Sequence, residues 1–148
     1  GSPNDANSKP FFEGAMSVLQ PKIDDGTLKV VSGQVTQQQT ATADWKAENA
    51  QKRMDAILSA NYQGDTSLDG ILSPNDTLAR AALTSVKSAG KPNPVITGQD
   101  SEVESVKLVF QGVQYSRSPR ASRSRSMTSR ATTTASRSCR PTCSPRSS

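Results

Sequence analysis

Histidine is absent from the 148 residues, so no imidazole base, no Ser-His-Asp triad and no ordinary zinc ligand set can be assembled. The two cysteines, Cys139 and Cys143, stand near one end of the sequence. A C-x3-C pair without His is too small for a metal site and too close to a chain end for a redox motif. Neither a G-x-G-x-x-G turn nor a P-loop is present to cradle phosphate, which speaks against a nucleotide-dependent α/β enzyme and for no cofactor. No apolar run reaches the roughly 18 residues that a membrane span requires. Gly1 is preceded by neither Met nor a charged, apolar leader, so any targeting peptide has been removed or lies outside this sequence. Aromatic residues make up only 4%, with a single Trp. Binding without catalysis is the economical expectation.

What is present is unevenly distributed. The net charge of +5 conceals an acidic stretch, residues 1–116 with 10 basic and 13 acidic side chains, and a basic one, residues 117–148 with 8 Arg and no acid. Those last 32 residues hold 10 Ser, 5 Thr and 3 Pro but no Leu, Ile, Val, Phe, Tyr or Trp, and cannot form a core. The chain therefore divides into a folded lobe, 1–116, and a disordered basic tail, 117–148.

Within the lobe, helical periodicity alternates with short β-type runs. Phe12, Ala15, Met16 and Leu19 predict a helix over about 9–20, closed by Pro21. A strand is expected at 28–32, then a polar stretch, 33–43, too poor in apolar residues to form an element. Asp44 offers an N-cap for a helix to about 60 with Ala50, Met54, Ile57 and Leu58 on one face. A short buried strand over 69–73 precedes a helix with Ala79, Ala82, Leu83 and Val86 inward and Gly90 at its end. Pro94–Thr97 is a further strand. A last helix follows, with Ser101 and Glu104 at capping-box spacing and Val103, Val106 and Phe110 on one face. This alternation predicts an α/β fold, a Rossmann-like three-layer lobe with a parallel sheet.

In such sheets ligands bind beyond the carboxyl ends of the strands. Three turns place polar residues there: the first loop with Asn4, Asp5 and Asn7, Asn75-Asp76, and Gln99-Asp100. Each charge-assisted hydrogen bond from such groups to a hydroxyl contributes roughly 1.5 to 3 kcal/mol, so a polyol is the natural partner. Asn and Asp after a strand also serve as turn formers and caps. Asp76, which opens a helix directly, is expected to be a pure cap, whereas Asn75 and Asp100 adjoin residues that could cap in their place. Trp45 stands off the apolar stripe of its helix, where its indole can stack on the apolar face of a sugar ring or pack locally. Phe11 and Phe12 are expected in the core or at hinge-side packing.

The segments GSPNDANSKPFFEGAMSVLQP, RMDAILSANY, DGILSPND and VITGQDSEVESVK together resemble the C-terminal part of the sugar-binding proteins of ABC importers, of the xylose/glucose and multiple-sugar type, within the type I periplasmic binding proteins. The resemblance covers residues 1 to about 116. It implies two lobes enclosing a monosaccharide, an aldose such as xylose, glucose, galactose or arabinose, for delivery to a membrane permease. It also implies a periplasmic or extracytoplasmic location and, as further partners, a chemoreceptor or sensor kinase. Carried over, the family's sugar contacts fall on Asp5, Asn7, Trp45, Asn75 and Asp100. A sugar-responsive transcription regulator uses the same architecture and is the alternative. The family's other lobe is not in this sequence.

After Ser116 the family continues with a strand, where this chain has the Arg/Ser tail. Only Arg123-Ser124-Arg125-Ser126 resembles a true RS repeat, and aromatic residues for base stacking are missing, so no nucleic-acid partner is expected. An out-of-frame translation of GC-rich DNA fits the tail better, and its net charge then says nothing about partners.

Overall fold

The computed structural model describes residues 1–116. The Arg/Ser tail, its proposed out-of-frame origin and the Cys139/Cys143 pair lie outside them. Among the described residues the elements are α1 (Ser8–Asp24), the one-turn α2 (Gln37–Thr40), a 3-10 turn (Ala43–Trp45), α3 (Ala47–Asn61), β1 (Gly70–Ile71), α4 (Asp76–Ser88), β2 (Val95–Gly98), α5 (Val103–Phe110) and β3 (Tyr115–Ser116). The strands form one parallel sheet in the order β1-β2-β3, pairing Gly70 with Val95, Ile71 with Ile96 and Thr97 with Tyr115. This is the expected α/β architecture, and its parallel pairing puts all three strand ends on one edge.

The core lies between α3, α4 and the sheet: Met54 and Leu58 from α3, Ala79, Ala82, Leu83 and Val86 from α4, Ile96 from β2, and Leu68. The spacing that predicted these helical faces is obeyed because each buries an i, i+3/i+4 stripe against the other. Gly90, at φ 68°, closes α4 with Gly90 N–H to Lys87 O at 3.0 Å and Lys91 N–H to Val86 O at 3.1 Å, the two bonds of a Schellman motif.

Several expectations are corrected. Residues 28–32 form no strand, because none of the described strands lies beside them to complete a ladder; Leu28 N–H instead bonds Lys22 O at 2.7 Å. The strand expected over 69–73 is only two residues long and is not buried: Gly70 and Leu72 are exposed. The polar stretch contains α2, held by a capping box in which the Thr36 hydroxyl accepts from Gln39 N–H and Gln39 Oε1 from Thr36 N–H. Pro21 does not stop α1, which continues to Asp24 on the exposed surface after forgoing one backbone bond. Asp44 is not a cap; it sits at φ 56° inside the 3-10 turn, and Lys46 is the N-cap of α3.

The Ser101/Glu104 box does not form either, since Ser101 is left-handed at φ 59° and Glu102 is the N-cap of α5. That helix packs with Ser105 and Leu108 inward, leaving Val103 and Phe110 exposed. The hydroxyl of Ser105 takes a 2.8 Å bond from Arg80 of α4, which rotates the helix away from its most apolar stripe. Phe11 is exposed and Phe12 only half-buried, so neither belongs to the core.

Candidate functional site

The strand-end edge is organised by a network in which Asp76 is central. Its backbone N–H donates to Gln99 O at 2.9 Å, its Oδ2 accepts Glu102 N–H at 2.9 Å, and its Oδ1 accepts Gln114 Nε2–H at 2.6 Å. Asp76 is 1% exposed, and so is Gln114. The turn after β1, the turn after β2 and the residue before β3 are thus tied through one aspartate. Gly98 completes the packing, because a Cβ there would collide with Asp76 Oδ1 and Gln114 Nε2. Alongside, Thr97 Oγ1 accepts Ser73 N–H at 2.9 Å and donates to Ser73 O at 2.8 Å, extending the β1–β2 ladder by a side chain.

The expected roles of Asn75 and Asp76 are exchanged. Asn75 is the cap: its backbone is extended, at φ −147° and ψ 173°, and its Oδ1 accepts Leu78 N–H at 3.0 Å. Asp76 is already helical, so its side chain turns inward to the neighbouring turn. The half-buried Asn75 uses its carbonyl oxygen as the cap, and its amide N–H2 remains as the group that could meet a ligand. Asn75→Ala is expected to destabilise the lobe by about 1 kcal/mol, whereas Asn75→Asp, which keeps the capping oxygen, stays within a few tenths. Urea titrations of both variants check this, and equal losses would show that capping is not what Asn75 contributes.

Asp100 is exposed at φ 92°, beside Ser101. Lost hydration, then the carboxylates of Asp76 and Glu102, hold its pKa above the ordinary carboxylate value. Acid therefore removes this acceptor sooner than it would an unperturbed one. Glu102 is shifted the other way by its bonds from Thr77 and Arg80; the Thr77 hydroxyl donates at 2.6 Å, and Arg80 forms the α4–α5 ion pair.

Asp5 and Trp45 form a second group. Asp5 Oδ1 accepts Asn7 N–H at 2.7 Å, and Oδ2 accepts the indole N–H of Trp45 at 3.0 Å. Thr42 N–H to Gly1 O at 2.9 Å and Asp44 N–H to Ser2 Oγ at 3.1 Å bind the same two segments together. Trp45, left-handed at φ 55°, is half-buried and absent from the core cluster. Its N–H is directed to Asp5 rather than outward, so the faces of the ring are what it can offer. Asn7 is exposed at the N-cap of α1 and makes no side-chain cap bond. No hydrogen bond joins the Asp5/Trp45 group to the Asn75/Asp100 group among the described residues. The participation of Gln114 in the edge had no local signal in the sequence; for Asp76 the signal was its place in an Asn-Asp doublet after a strand.

The profile of the periplasmic binding protein domain matches residues 1–121, ending just past Ser116. This chain belongs to that family. Among relatives of this periplasmic binding protein domain, the multiple sugar-binding periplasmic protein SbpA of Azospirillum brasilense is 47% identical over 119 residues, covering 77% of this chain and 33% of the relative. The multiple sugar-binding periplasmic receptor ChvE of Rhizobium radiobacter is 46% identical, covering 78% and 34%. The D-xylose-binding periplasmic protein of Escherichia coli K12 is 36% identical, covering 77% and 32%. The chain thus spans about a third of the length of these curated relatives. A solved ABC transporter solute-binding protein from Clostridium phytofermentans, with bound β-D-glucose, is similar at TM-score 0.75 and 36% identity, covering 98% of this chain and 47% of that one.

Proposed function

We propose that this chain is part of the solute-binding component of a carbohydrate ABC importer. It binds a monosaccharide, an aldose of the xylose, glucose, galactose or arabinose kind, between two lobes and presents it to a membrane permease in the periplasm. It binds and does not catalyse. Asp5, Asn7, Asn75 and Asp100 share the ring hydroxyls while Trp45 covers the apolar face, and closure of the lobes excludes water. A chemoreceptor or sensor kinase is a further partner on this reading. The observation that carries it is the likeness of this lobe to a protein solved with β-D-glucose.

Titration of the 148-residue chain with D-glucose, D-galactose, D-xylose and L-arabinose tests the proposal. Calorimetry and the fluorescence of Trp45, the sole tryptophan, serve as readouts. Saturable binding in the millimolar range is expected, weak because the chain spans a third of its relatives' length. Absence of any saturable response to all four sugars sinks the proposal. Micromolar binding would instead overturn the expectation that contacts from outside this chain supply much of the affinity.

A further inference from the structure

Asp100 and Ser101 are consecutive non-glycine residues with left-handed backbone, at φ 92° and φ 59°. That conformation is unfavourable for L-residues and persists only where the surroundings impose it. Here Asp76 imposes it. Asp76 grips the turn on both sides of the strained pair, donating its backbone N–H to Gln99 O at 2.9 Å and accepting Glu102 N–H on Oδ2 at 2.9 Å. Its other oxygen is anchored by Gln114, the residue before β3. At 1% exposure Asp76 cannot reach a ligand itself.

We infer that Asp76 is a positioning residue for sugar recognition, holding the Gln99–Glu102 turn in the strained form in which the Asp100 carboxylate is exposed. The inference rests on the sugar-binding reading and extends it to a residue that touches no sugar. Gln114 is its second part. The amide Nε2 of Gln114 bonds Asp76, while Oε1 is buried with no partner among the described residues. Exchanging the two functional groups therefore preserves the bond. In Asp76→Asn with Gln114→Glu, the new amide keeps one oxygen for Glu102 N–H and turns its N–H2 toward the new carboxylate.

The experiment compares the 148-residue chain with Asp76→Ala, Asp76→Asn and the Asp76→Asn/Gln114→Glu pair. Two readouts are taken: amide hydrogen exchange at Glu102, referenced to Val86 in the core, and D-xylose affinity by NMR titration. In Asp76→Ala, Glu102 exchange is expected to quicken by roughly tenfold or more relative to Val86, and affinity to fall roughly tenfold, as for the loss of one charge-assisted bond. The paired variant is expected to recover both. If Asp76→Ala does not fold, the same comparison is read from Asp76→Asn and the pair. Unchanged Glu102 protection, or lost stability with unchanged affinity, overturns the inference. Should the parent chain bind no sugar, the sugar-binding reading fails and takes the recognition role with it, while the exchange readout separately reports whether Asp76 holds the turn.

Discussion

Gly98→Ala is expected to lower the stability of the lobe by about 3 kcal/mol, far more than one added methyl costs on a surface. Gly98 is the last residue of β2, and the space where a Cβ would stand is taken by Asp76 Oδ1 and Gln114 Nε2. Both side chains are 1% exposed, so neither can move into water without dragging backbone with it. A methyl here therefore overpacks the edge, at about 1–3 kcal/mol. It also parts a buried 2.6 Å charge-assisted bond, leaving groups unsatisfied at about 1–3 kcal/mol more. Urea denaturation followed by far-UV circular dichroism measures the loss. In a Gln114→Ala background the added cost of Gly98→Ala should shrink, because one of the two obstructing groups is gone. Strict additivity of the two substitutions would show that the clash is not with Gln114.

The largest effect on binding is expected at Trp45. Removing the indole deletes the one large apolar surface among the proposed sugar contacts, and Trp45→Ala should weaken aldose binding by about 1.5 to 3 kcal/mol, on the order of tenfold to a hundredfold. Trp45→Phe separates two contributions. It keeps a ring face but gives up the 3.0 Å bond to Asp5, so any loss beyond that of the reduced ring area measures how far Asp5 orients the platform. NMR titration with D-glucose reads both variants, since neither retains a tryptophan. Unaltered affinity in Trp45→Ala would remove this residue from the site.

The parts of the fold that were legible in the sequence are those where periodicity is strong and the partner is near in sequence. The α4 stripe of Ala79, Ala82, Leu83 and Val86 and the closing Gly90 were legible because propensity, burial and capping agree there. Residues 28–32 have the composition of a strand, yet a strand exists only where a neighbour pairs with it. The Ser101–Glu104 spacing fits a cap, but the hydrogen bond that Glu102 N–H donates to Asp76 and the one Ser105 accepts from Arg80 set where α5 begins and which way it faces. Asn75 and Asp76 illustrate the same limit within one dipeptide. Either side chain can cap a helix, and the choice depends on which backbone is still extended when the helix starts. Asp5, Asn7, Asn75 and Asp100 were identifiable as polar residues of turns and Trp45 as an indole off its helix stripe, while the buried pair that organises the turns around α4, Asp76 and Gln114, joins positions far apart in sequence.

The core draws no side chain from residues 1–46, although those residues carry Asp5, Asn7 and Trp45. They are held to one another by hydrogen bonds such as Thr42 to Gly1, Asp44 to Ser2 and Trp45 to Asp5, and α1 adds no side chain to the apolar cluster. Melting should therefore not be a single all-or-none event. On heating, the emission of Trp45 is expected to move toward that of a hydrated indole while α3 and α4 still hold their ellipticity. Asp5, Asn7 and Trp45 then lie in the part that lets go first, while Asn75 and Asp100 lie with α4 and β2, so a sugar held by both should raise the first transition toward the second.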